Sequence, residues 1–131
     1  MENCRSFVLQ PVNEGDIVYV TACSQCASTA KISVTGLEKD IVLEKTDNRT
    51  DLLELEGACK TSKCKKGDVK LNITIKNEDS QMRVIKTACV MSDNEGVVKG
   101  INFAFYIDDQ EKGDSDFNDY YINIAVWRKQ G

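Results

Sequence analysis

A chain of 131 residues with 41% apolar content is expected to form one globular domain, residues 1–131, that buries roughly two-thirds of the surface its unfolded form exposes. The net charge is −4, but residues 108–119 alone hold six acids and one Lys, a local −5 that leaves the remainder at +1. No basic patch with interleaved aromatics speaks for nucleic acid, no apolar run approaches the ~18 residues of a membrane span, and the absence of His removes the commonest general base and metal ligand.

Hydrophobic alternation with period two dominates the chain. In order, "SFVLQ", "DIVYVTA" (16–22), "AKISVT" (30–35), "DIVLEK", "DLLELE" (51–56), "DVKLNITIK" (68–76), "QMRVIKTACVM" (81–91), "INFAFYI" (101–107) and "YYINIAVW" (120–127) read as strands. In "DVKLNITIK" the pattern is plainest, with Val69, Leu71, Ile73 and Ile75 on one face and Lys70, Asn72, Thr74 and Lys76 on the other. Turn chemistry separates the strands at "NEG", "TGLEKD", "TDNRT", "KKGD", "KNEDS" and "SDNEG". Nine short strands, no helical period and frequent turns predict an all-β fold, an antiparallel sandwich of Greek-key or jelly-roll type. The N-terminus "MENCRSFVLQ" lacks the charged-then-apolar pattern of an export signal, so the expected location is cytoplasmic, or outside by a non-classical route.

The acidic stretch "DDQEKGDSDFNDYY" (108–121) joins two apolar strands and so reads as a loop held at both ends. Like charges about 4 Å apart repel by roughly 1 kcal/mol in water and more near a protein surface, so the crowding calls for a compensating charge. "DSDFND" places oxygens at Asp114, Asp116, Asn118 and Asp119, with Asp109 and Glu111 upstream. Calcium takes six to eight hard oxygen ligands, and alternating Asp-x-Asp-x-Asn aims every second side chain the same way. The EF-hand pattern does not fit, because Asp119 stands where that loop needs Gly and Ala125 where it needs Glu. So many carboxylates suit a pair of calcium ions.

At this point the chain resembles the bacterial calcium-mediated fucose/mannose-binding lectins. The resemblance is carried by "INFAF", then "GDSDFNDYYINIAVW" and a terminal Gly131, by "KGDVKLNITIKN" as a central strand, and by "VTACSQCASTAKISV" where the family has its first binding loop. It implies a nine-stranded β-sandwich holding two calcium ions per chain, with sugar hydroxyls coordinating both. Asp114, Asp116, Asn118 and Asp119 match calcium ligands that also touch sugar. The upstream acidic ligand corresponds to Asp109 or Gln110 according to the side from which the loop is counted, and charge favours Asp109. Gly131 matches a terminal carboxylate lent to the neighbouring subunit, which implies a homodimer or larger assembly. Where the family has Asn followed by two Ser, this chain has Gln25, Cys26 and Ala27, so a ligand oxygen is kept on a longer stem and two sugar-contacting hydroxyls are lost. The acidic loop is one residue longer than the pattern, and the stretch from Asp119 to Gly131 two residues longer.

The expectation is therefore a calcium-dependent carbohydrate-binding protein, with no catalytic residues and no membrane insertion. The alternative is a lectin-derived structural or interaction protein, or a toxin or adhesin component, that keeps the fold with sugar binding lost or altered. Among the six Cys, Cys23-x-x-Cys26 and Cys59-x4-Cys64 have spacings compatible with a four-thiolate zinc site, two local disulfides or free thiols. Trp127 shares a strand face with Tyr121, Asn123 and Ala125 and is assigned to core packing or a subunit contact.

Overall fold

The computed structural model describes residues 2–76, 82–109 and 117–128. Ten strands follow in chain order: β1 (Glu2–Leu9), β2 (Ile17–Ser24), β3 (Thr29–Thr35), β4 (Ile41–Lys45), β5 (Leu53–Glu54), β6 (Thr61–Lys63), β7 (Val69–Lys76), β8 (Arg83–Ser92), β9 (Val98–Asp108) and β10 (Tyr120–Trp127). They form two antiparallel sheets, one ordered β1-β7-β3-β4 and the other β5-β2-β10-β9-β8, with β6 also paired to β2. Neighbours such as β1 with β7 and β2 with β10 are distant in sequence, so the chain crosses repeatedly between the layers. The expected sandwich is present, with ten strands in place of nine. The segment 51–56 contributes only Leu53–Glu54, and Thr61–Lys63 adds a short strand that alternation does not mark.

The alternation translates directly into burial. On β7, Val69, Leu71, Ile73 and Ile75 are buried, as are Ile122, Ile124 and Val126 on β10 and Phe103, Phe105 and Ile107 on β9. These inward rows meet between the sheets in a single apolar cluster. Fully burying one such side chain stabilises by about 1.5–3 kcal/mol. The outward rows differ between the layers. The four-stranded sheet presents charged and hydroxyl side chains, among them Lys31, Glu44 and Lys70, and Asn72 there bonds Ser6, Ser33 and Thr35. Trp127 lies on the outer face of the other sheet and is 39% exposed, so it does not pack in the core.

Charged pairs pin both ends of the sandwich. At one end Arg128 Nη1 meets the buried Asp16 carboxylate at 2.5 Å, just past the end of β10. At the other, Arg83 Nη2 lies 2.6 Å from Asp108, whose side chain is almost wholly buried. The register of β8 on β9 sets these two residues directly opposite each other. Asp108 thus has a cationic partner of its own, and removing one partner of such a buried pair costs about 3–5 kcal/mol.

Gly36 closes the β3–β4 connection at φ +89, and a Cβ there would run into the Asp68 carbonyl oxygen. Its own carbonyl accepts from Lys65 N–H at 3.1 Å, which stitches this turn to the segment entering β7. Gly96 has a similar φ of +79 but open space around it. Gly96→Ala should therefore cost about 1 kcal/mol, the left-handed backbone penalty alone. Gly36→Ala should cost roughly 3 kcal/mol, because a backbone clash is added. Urea denaturation of the two variants reads the difference.

Candidate functional site

Three chain segments converge where β2 ends, β9 ends and β10 begins. Asp119 joins them. Its N–H donates to Ile107 O at 3.0 Å, its carbonyl accepts from Gln25 N–H at 3.0 Å, and its Oδ2 accepts from Asp109 N–H at 2.9 Å. The β2–β3 loop (25–28) is thereby held against the β9 and β10 ends. Phe117, just before this junction, adopts φ 53, which bends the chain sharply, and the Arg83 guanidinium covers its ring at 5.2 Å. A bulky residue in that region costs about 1–2 kcal/mol, and a cation over an aromatic face offsets part of it.

Ser28, which no motif in the sequence marks, is the second organising residue. Its hydroxyl donates to Asp109 Oδ2 at 2.7 Å and lies 3.1 Å from the Cys26 thiol. Its carbonyl accepts from Tyr120 Oη at 2.7 Å and from Lys45 Nζ at 3.2 Å. Lys45 is buried, and its ammonium also reaches the Asp47 carbonyl at 2.6 Å and carboxylate at 3.6 Å. The loop floor thus rests on a buried phenol and a buried ammonium, both satisfied by main-chain oxygen. Burial is also the chief reason the Tyr120 hydroxyl is pushed well above its ordinary pKa.

The structure brings Asp109, Asp119 and Cys26 together, with their ligand atoms all within 4.8 Å of one another. Asn118 is half-buried next to Asp119. Gln25 and Ala27 are exposed at the loop, whereas Cys26 between them turns inward and is buried. Asp114, Asp116 and Gly131, with Gln110 and Glu111, lie outside the described residues. All six cysteines are free thiols, and Cys59 and Cys64 do not join Cys23 and Cys26 in a metal-ligating group.

The donor chemistry fits a hard cation. Two carboxylates and a nearby amide offer the oxygens calcium prefers. The Cys26 thiol does not, since burial raises its pKa first of all and keeps it protonated. Burial, helped by the charge of Asp109, pushes the Asp119 pKa from 3.8 to about 7.

No family model matches the sequence, and no curated protein matches it. Among solved structures, the chain is similar to the CV2L lectin of Chromobacterium violaceum in complex with α-methyl-fucoside, at 15% identity and a TM-score of 0.59, over 95% of this chain and 96% of that one. It is also similar to the C-terminal domain of the BC2L-C lectin of Burkholderia cenocepacia, at 16% identity and a TM-score of 0.50, over 99% of this chain and all of that one.

Asp119 generates a pH dependence whose sign is opposite to that of an ordinary salt-bridged carboxylate. The folded state keeps a proton that the unfolded chain releases near pH 3.8, so stability without a cation should fall as pH rises from about 4 to about 7. Asp119→Asn, which can still accept from Asp109 N–H, should flatten that profile and melt higher than wild type at alkaline pH. Thermal melts in chelator across this range are the measurement. Across nearly their whole lengths, this chain has the fold of these two bacterial lectins.

Proposed function

We propose that the chain is a carbohydrate-binding protein whose site depends on calcium. The observation that carries this reading is the Asp109–Asp119 carboxylate pair, set by Ser28 and by backbone hydrogen bonds at the strand ends of a lectin-like sandwich. Asp109, Asn118 and Asp119 would hold the cation, joined by Asp114 and Asp116 from the acidic loop, and the carboxylate count there suits two ions. Bound calcium would supply open coordination positions for vicinal sugar hydroxyls of the fucose or mannose type. The chain's own part is positional. Asp119 holds the β2–β3 loop against the β9 and β10 ends, and Ser28 orients the Asp109 carboxylate before any ligand arrives.

Selectivity would fall to the exposed Gln25 and Ala27. A loop that presents no hydroxyl at Ala27, and buries the one side chain at Cys26 that stands in for another, makes fewer contacts to sugar. Each missing neutral hydrogen bond is worth on the order of 1 kcal/mol, about five- to tenfold in affinity. The same observation favours a second reading, an interaction protein that keeps the cation-braced loop and has lost sugar binding.

A glycan array with and without chelator separates the two, with calorimetry for the cation. On the proposed reading, calcium raises the melting temperature, arrays show calcium-dependent signal, and Asp119→Ala abolishes both. Ser28→Ala should weaken calcium binding by roughly tenfold, the cost of one hydrogen bond to a charged group. Calcium binding with an empty array supports the second reading. No calcium binding at millimolar concentration overturns both.

A further inference from the structure

The inward rows of β2, β9 and β10 fill the core, so their alternate residues stand on the outer face of the larger sheet. Those outward positions carry no Asp, Glu, Lys or Arg along β2 from Ile17 to Cys23, along β10 from Tyr121 to Trp127, or along β9 from Gly100 to Tyr106. In a chain that is 29% charged, this is a contiguous uncharged field.

Strand register gives the field relief. Tyr121 and Tyr106 are direct partners, so one row across the strands is tall and aromatic. The next row is short, with Asn123 opposite both Thr21 and Ala104, and Asn102 lies opposite Ala125 in the row beyond. The step between them encloses a groove of about 460 Å³, within the roughly 300–1,000 Å³ of small-ligand sites. Tyr106 and Tyr121 meet edge to face at 90° with centroids 5.1 Å apart, so each ring steadies the other as a wall. On the floor, Asn102 Nδ2 donates to Asn123 Oδ1 at 3.4 Å. An amide has two donors and a two-sided acceptor, so this bond leaves both side chains with capacity to spare.

We propose that this groove binds a short neutral oligosaccharide, at a site separate from the strand-end carboxylates and without calcium. Charge matching and polar matching together select that occupant. An ionic ligand would lose water here and find no counter-charge. An apolar peptide or lipid chain would cover the Asn102 and Asn123 amides and the Thr21 hydroxyl and leave them unpaired, which is costly. A neutral sugar suits both parts of the groove, with C–H faces for the tyrosine wall and hydroxyls for the amide floor. Because the two rings are perpendicular, they form no coplanar platform, which favours a single soluble chain over the flat surface of a crystalline polysaccharide. With strands ~4.8 Å apart, a groove across β2, β10 and β9 runs for ~10 Å, more than one sugar ring spans. The groove lies on the sheet face and the candidate cation site at the strand ends, so filling one does not require the other.

An array of neutral gluco-, manno-, xylo- and galacto-oligosaccharides, read in chelator, tests the proposal. Wild type should bind at least one of these series without calcium. Asn123→Ala, at an exposed floor position, removes hydrogen bonds to sugar and should weaken that binding about five- to tenfold. Tyr106→Ala should weaken it as well, whereas Tyr106→Phe, which keeps the ring, and Lys70→Glu, on the opposite sheet, should not. Thiol labelling of wild type supplies a reading that does not depend on a variant folding. The oligosaccharide that binds on the array should slow the labelling of Cys23, which lines the groove, and leave Cys4 on the other sheet unchanged. No signal in chelator, a signal that appears only with calcium and so belongs to the strand-end site, binding that survives Asn123→Ala, or Cys23 labelling that ignores the sugar would overturn the proposal. So would protection of Cys23 by rising protein concentration alone, the mark of a second copy on this face.

Discussion

The geometry described at the proposed ligand end of this molecule is organised by hydrogen bonds from the amide, carbonyl and carboxylate of Asp119. One residue uses its amide, carbonyl and carboxylate to hold β9, the β2–β3 loop and the start of the acidic loop in a single geometry. Hydrogen bonds of this kind contribute only about 1 kcal/mol each, and somewhat more where the acceptor is charged. Their value lies in position. They bring the Asp109 and Asp119 carboxylates near enough to repel before anything binds, and the sandwich behind them is stable enough to hold them there. A ligand that neutralises the pair is then met by oxygens already in place, which lowers the cost of ordering them on binding.

The buried charges elsewhere follow a related logic. Lys45, Arg83 and Arg128 each reach an anion or a main-chain oxygen at one end of the sheets, and none of them sits in the middle of the core. The core between the sheets is left to aliphatic and aromatic side chains, whose packing is indifferent to the titration of groups at the ends. Changes in charge at the ligand end can therefore alter loop geometry while the strand register persists.

Much of the architecture was legible in the amino-acid order because the strands alternate, and alternation is the direct imprint of a sheet with one buried face. What escaped was the short pairing of Thr61–Lys63 on β2, too brief to show a period and fixed by tertiary contact alone. Trp127 was misjudged in part because an aromatic at a strand end looks like core until the register shows which way it points. At the site, Asp109, Asn118 and Asp119 stood out through composition and through resemblance. Ser28, Tyr120 and Lys45 did not, because their shared partner is a main-chain carbonyl that no side-chain pattern reveals. Asp108 counted as one more loop acid until β8 set Arg83 opposite it.

The last strand of the larger sheet reaches beyond its cover. On β8 the inward positions Lys86, Ala88 and Val90 are exposed, although their partners Phe105, Phe103 and Ile101 on β9 are buried. Such an edge offers unpaired amides and carbonyls beside apolar side chains, the ingredients of runaway strand addition and fibre growth. Lys86 counters this. Its ammonium lies 4.8 Å from the centre of the Phe7 ring, an inward-pointing charge that an added strand would have to bury. The residue is therefore placed as a gatekeeper against aggregation on β8, which with β1 is one of the two long edge strands among the described residues.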